Sequence, residues 1–139
     1  MTDLKNKLTE KMPKINLIPL KDTAVNTKTQ AGYDLLMIVF EAGGWKWNYY
    51  KDLLHSFPTS YNRWKEYEKE TSVSAGVFEK ASFNEGRIIA GSKIFFRYRL
   101  GSKIISQNGF YTLQKITNEN LKELKNWFEK YKPCRKSKG

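Results

Sequence analysis

The spacing of apolar residues changes once along the chain. Before Arg87 they recur at intervals of three and four, the period of a helix face. The clearest early case is TQAGYDLLMIVFEAGG, where Leu35, Leu36, Ile38, Val39 and Phe40 leave little polar surface. This predicts a largely buried helix, capped by Thr29 and ended at Gly43-Gly44. WKWNYYKDLLHSF follows as a second helix, with Trp47, Tyr50, Leu54 and Phe57 on one face and Pro58 as its stop. A third helix is expected from Thr59 or Ser60 to Lys69, with Tyr61, Trp64 and Glu68 along one side. A short fourth is expected from Ser72 to Gly86.

From Arg87 the period reads as two, which predicts three strands: RIIAG, KIFFRYRL and GFYTLQKI. Asn108-Gly109 is a hairpin signal between the last two. In KIFFRYRL, alternation puts Ile94, Phe96, Tyr98 and Leu100 on a core face and Lys93, Phe95, Arg97 and Arg99 on the other. A final helix starts at Asn118, carries Leu121, Leu124, Trp127, Phe128 and Tyr131 as its stripe, and ends before Pro133. Upstream, residues 3–12 suit a short charged helix, INLIPL an extended segment, and 21–29 a polar loop.

Helices, then strands, then a helix predict an α+β domain: a helical first part, a basic antiparallel β-hairpin or three-stranded sheet, and a closing C-terminal helix. The same order of elements is that of a winged helix, an analogy of architecture alone. Residues 1–28 are expected as a loosely docked basic arm, 29–132 as the globular domain, and 133–139 as a basic tail. A chain of 139 residues suits one domain with a self-sufficient core.

Charge sharpens the picture. There are 25 Lys and Arg against 14 Asp and Glu, a formal net charge of +11. Such a field concentrates anions, with nucleic acid the foremost class. Twenty of the cations are lysine and five arginine, and a lysine-rich surface alone is an ordinary solvated surface. The arginines carry more weight because guanidinium binds phosphate bidentately and stacks on bases. Arg87, Arg97 and Arg99 gather around KIFFRYRL. With Lys93, Lys103 and the aromatic Phe95, they are the candidates for lying along a phosphate backbone. Arg63 and Lys65, at the start of a predicted helix, and Trp45, off the apolar face of its own segment, complete the candidate set.

Other chemistries find little support. The single histidine, His55, and the single cysteine, Cys134, leave no Cys- or His-rich metal site and no internal disulfide. No phosphate-binding glycine loop is present, and no cofactor is expected. A metal-dependent nuclease would need converging carboxylates; Glu79 and Glu85 are the residues to test, but they belong to what reads as a solvated helix face. The N-terminus lacks the apolar core of a signal peptide, and the longest apolar run, LLMIVF, is too short to span a bilayer. The expectation is an intracellular, cytoplasmic protein without a membrane partner.

The sequence therefore points to a non-catalytic nucleic-acid-binding protein, DNA ahead of RNA, in the manner of a small regulator or replication accessory of a phage or mobile element. The competing class is an inhibitor or assembly module for an acidic protein, since Trp, Tyr and Arg also anchor protein interfaces. Oligomeric state is not encoded in any pattern found.

Overall fold

The computed structural model describes residues 15–48, 56–75 and 86–130. The fold is α+β, built on a five-stranded mixed sheet. Along the chain come β1 (Thr23–Asn26), α1 (Gln30–Ala42), β2 (Lys46–Trp47), a 3₁₀ turn (Pro58–Ser60), the one-turn α2 (Trp64–Tyr67), a 3₁₀ turn (Glu68–Glu70) and β3 (Thr71–Ser74). Then follow β4 (Arg87–Ser92), a π-helical turn (Phe95–Arg99), β5 (Lys103–Ser106), α3 (Gln107–Gln114) and α4 (Asn118–Lys130).

The spatial order is β2-β4-β3-β1-β5. β1 pairs parallel with β5 and β2 parallel with β4, while β3 runs antiparallel to both of its neighbours. Four strands therefore point one way. Consecutive parallel strands need crossovers over a sheet face. Helix α1 makes one crossover, between β1 and β2. Residues 93–102 make the other, between β4 and β5.

Register sorts the strand residues by face. Val25 lies opposite Val73 and Val73 opposite Ala90, so these share a face with Ile88 and Ile105. Helix α1 packs there with buried Tyr33, Leu36, Met37 and Phe40; Phe110 of α3 and Leu124, Trp127 and Phe128 of α4 close the same core. A buried side chain of this size contributes about 1.5–3 kcal/mol. The opposite face carries Ala24, Ile89 and Ile104, and there the cover is Phe96 and Leu100.

The expected buried helix is present: Thr29 Oγ1 accepts from the Gly32 N–H at 3.0 Å, and Gly43 follows the last turn. The RIIAG strand forms as expected, and so does the final helix over Asn118–Lys130; Tyr131, the expected stop at Pro133 and the basic tail lie outside the described residues. The side chain at the entry to α4 is Thr117, whose Oγ1 accepts from the Asn120 N–H, one residue before the anticipated Asn118.

Elsewhere the local pattern is overruled. The polar stretch around TAVN, expected as a loop of a loosely docked arm, is β1, bonded on both sides within the sheet. Lys46–Trp47, at the expected start of the second helix, is an edge strand, and Thr71–Ser74 is strand at the expected start of the fourth; residues 49–55 and 76–85 of those two expected helices lie outside the described residues. The third helix shrinks to α2. GFYTLQKI is not a strand: Ser106 caps α3 through the Gly109 N–H at 3.0 Å, so Asn108-Gly109 sits in a first helical turn. KIFFRYRL is not a strand either, and no basic hairpin forms from it. Among the described residues a strand, β1, precedes the first helix, which differs from the helix-first order of the winged-helix analogy; the short helix expected over 3–12 lies outside the described residues. His55, Glu79, Glu85 and Cys134 lie outside the described residues.

Candidate functional site

Ser92 ends β4 and starts the crossover, its Oγ accepting the Phe95 N–H at 3.1 Å. The chain then coils instead of continuing as strand. Phe96 and Leu100, four apart, fall on one side and are buried against Ala24 and Ile89. The Ser102 N–H returns to the Phe96 carbonyl at 2.8 Å, closing the turn before β5 begins.

Coiling redistributes the other side chains in pairs of the same four-residue spacing. Ile94 and Tyr98 share the side away from the sheet and are 65% and 72% exposed. Lys93 and Arg97 form one flank, Phe95 and Arg99 the other. Both arginines are exposed. Phe95 is 37% exposed, with its ring edge-to-face on Phe96 at 5.3 Å. Beneath it lies Gly91, where a Cβ would come within 2.9 Å of the Phe95 ring. The missing side chain at Gly91 is what lets that ring settle against β4.

Two residues assigned by alternation to the core, Ile94 and Tyr98, are thus exposed on the crossover. The signal that could have found them is charge, not period. From Gly86 to Asn118 there are six cations and no carboxylate. A segment without a carboxylate of its own presents a net positive field, which favours an external anion.

Of the remaining candidates, Lys103 directly follows this turn, and Arg87, Arg63, Lys65 and Trp45 are placed apart from it. Arg87 starts β4, roughly 20 Å from Lys93 at its far end, and its Nη1 donates to the Trp47 carbonyl at 3.0 Å. Lys103 is exposed at the start of β5, where its backbone N–H bonds to the Asp22 carbonyl. Arg63 pairs with Glu66 at 3.4 Å and lies 5.8 Å over the Tyr61 ring. Lys65 shares its segment with Glu66, Glu68 and Glu70, which offset its charge. Trp45 is half-buried, packed against the core at 6.2 Å from Phe40. Lys93, Phe95, Arg97 and Arg99 are therefore brought together; Arg63, Lys65 and Trp45 are not part of that group.

Among the described residues, no three His, Cys, Asp or Glu side chains gather as a metal site would require, and no helix is long and apolar enough to cross a membrane. Among the described residues, Glu41 and Tyr111 are held away from their ordinary behaviour, both within the fold. Burial pushes Glu41 up from the usual carboxylate range, partly offset by Thr59, whose N–H and hydroxyl both donate to it, and by nearby Lys46. Burial likewise pushes the Tyr111 phenol up to about 12, opposed by a hydrogen bond from Gln107.

Comparison with protein-family models, curated proteins and solved structures finds no match for this chain.

Proposed function

We propose that this chain is a non-catalytic nucleic-acid-binding protein, DNA ahead of RNA, and that the crossover after β4 is its contact surface. The observation that carries this reading is the turn itself. Arg97 and Arg99 are exposed beside Ile94, Phe95 and Tyr98, on the stretch of chain without a carboxylate. Large apolar side chains are costly to leave in water, and guanidinium groups among them suit a ligand with both phosphates and flat apolar bases. Lys93 and Lys103, at the two ends of the crossover, extend the cationic strip.

Binding of this kind releases counterions, so affinity falls steeply with salt. For contacts from Lys93, Arg97, Arg99 and Lys103, log affinity should drop against log salt with a slope of about −3 to −4 on duplex DNA. Fluorescence anisotropy with labelled duplex DNA, single-stranded DNA and RNA across a salt series tests this. Arg97→Ala combined with Arg99→Ala should flatten the slope by about 2 while circular dichroism stays native. An unchanged slope in that variant removes the crossover from the interface. Absence of binding to all three probes would transfer the surface to the competing class, an acidic protein partner.

A further inference from the structure

The nucleic-acid reading leaves open which form of the polymer the crossover takes, and the side chain at its summit bears on that. We infer that the ligand is a single strand, and that Tyr98 stacks on one of its unpaired bases between phosphates held by Arg97 and Arg99. This inference rests on the reading above and goes further, to a substrate class and a base-contacting residue.

Three observations carry it. Tyr98 is the most exposed of the large apolar side chains described, at 72%, although its neighbours Phe96 and Leu100 are buried and fix the backbone beneath it. The backbone beneath the ring is anchored before binding, which lowers the entropy lost on contact. Second, Arg97 and Arg99 flank it in sequence, two residues apart, so their side chains leave the turn on opposite sides of Tyr98. Cation, ring, cation repeats the alternation of phosphate, base, phosphate along a strand.

Third, the aromatic chemistry fits stacking better than insertion into a duplex. Residues that wedge between paired bases are wholly apolar, and a base step offers no water to a phenol tip. Inserting Tyr98 would desolvate its hydroxyl without a partner. Stacking on an unpaired base covers the ring face and leaves the hydroxyl at the rim in water. Phe95, an aromatic neighbour, is packed edge-on against Phe96 and seated over Gly91, so less of its ring is free to stack.

The test compares an oligothymidylate, a duplex of equal length, and an abasic deoxyribose-phosphate strand of equal length and charge, each by anisotropy at one salt concentration. The oligothymidylate should bind tightest, with the abasic strand weaker by about tenfold, the size of one base stack. Tyr98→Ala should lower oligothymidylate affinity to the abasic level and leave abasic binding unchanged, whereas Tyr98→Trp should keep or tighten it. Because the side chain is exposed, both variants should fold, which near-ultraviolet circular dichroism verifies. Equal affinity for the oligothymidylate and the abasic strand, with Tyr98→Ala silent, overturns base stacking and leaves the phosphate-binding reading standing. Tighter binding to the duplex overturns the single-strand assignment in the same way. No binding to any of the three defeats the nucleic-acid reading itself.

Discussion

Helix α1 and the 93–102 crossover do the same topological task on opposite faces of one sheet, but they do it with different amounts of apolar surface. On its face α1 buries Tyr33, Leu36, Met37 and Phe40, and helices α3 and α4 close over them. The crossover anchors itself with Phe96 and Leu100. A cover with so few anchors can turn the rest of its side chains outward, and here those are Ile94, Tyr98, Arg97 and Arg99. The α1 side is committed to stability. The crossover side rests on the small cluster of Phe96 and Leu100 and leaves most of its side chains exposed.

The largest effect that could break this comparison comes from removing one anchor on each side. Phe40→Ala should cost about 3–5 kcal/mol in denaturant unfolding, because its ring is buried between Trp45 and Phe110 at 6.2 and 5.7 Å. Phe96→Ala should cost about 3 kcal/mol, the low end of that range, since its cluster is small and water can reach the vacated space. Hydrogen exchange separates the two further. In Phe96→Ala the Ser102 amide, bonded to the Phe96 carbonyl, should exchange fast while α1 amides remain protected. If α1 loosens along with it, the two covers form one cooperative unit and the division fails.

These same two regions explain what could be read in the sequence. Helix α1 was legible because Thr29, a nearly continuous apolar run and Gly43-Gly44 all agree on one element. Helix α4 was legible from its stripe. In KIFFRYRL the local pattern is degenerate: Phe96 and Leu100 satisfy an alternating face and a four-residue helical face equally well. The choice is made by topology. β4 and β5 are not neighbours, so the chain after Ser92 must leave the sheet and cross it, and no local period records that. TAVN failed for a related reason, since four residues are too few to show alternation, and its place between β3 and β5 comes from pairing partners distant in sequence. Of the candidate site, the cations Lys93, Arg97 and Arg99 were legible as a charge cluster. Tyr98 and Ile94 were not, because the wrong period turned them inward.

A middle-sized effect sharpens the comparison at Gly91. A methyl there would meet Phe95 Cδ2 at 2.9 Å, and the ring behind that atom is already against Phe96. Gly91→Ala should therefore destabilise by about 1 kcal/mol, the lower part of what overpacking costs, because the more restricted unfolded chain offsets some of it. The expected signature in urea unfolding is a lower midpoint with an unchanged slope. A rise in stability would mean that Phe95 swings away freely, and the outer flank of the crossover would then be less fixed than its ring contacts imply.

The smallest effect belongs to the α1 side alone. Glu41 is buried near the end of α1, accepting from the Thr59 N–H at 2.9 Å and from its hydroxyl, and burial raises its pKa above the ordinary 4.5. The folded state thus holds this proton more tightly than the unfolded chain does. Its contribution to stability is fully present below pH 4.5 and is lost as pH rises through the folded value. Lys46 and the two Thr59 hydrogen bonds reduce the loss without reversing it. Glu41→Gln keeps an oxygen to accept from Thr59 and has no proton to lose. Measured against wild type across pH, the Glu41→Gln variant should therefore gain stability as pH climbs above 4.5, and the difference should level off once Glu41 is ionised. The crossover has no carboxylate between Lys93 and Ser102, so the affinity difference between Arg97→Ala and wild type should stay flat over the same interval. A difference curve for Glu41→Gln that falls with pH would mean that Thr59 and Lys46 together outweigh burial, making this carboxylate a stabilising anion instead of a strained one.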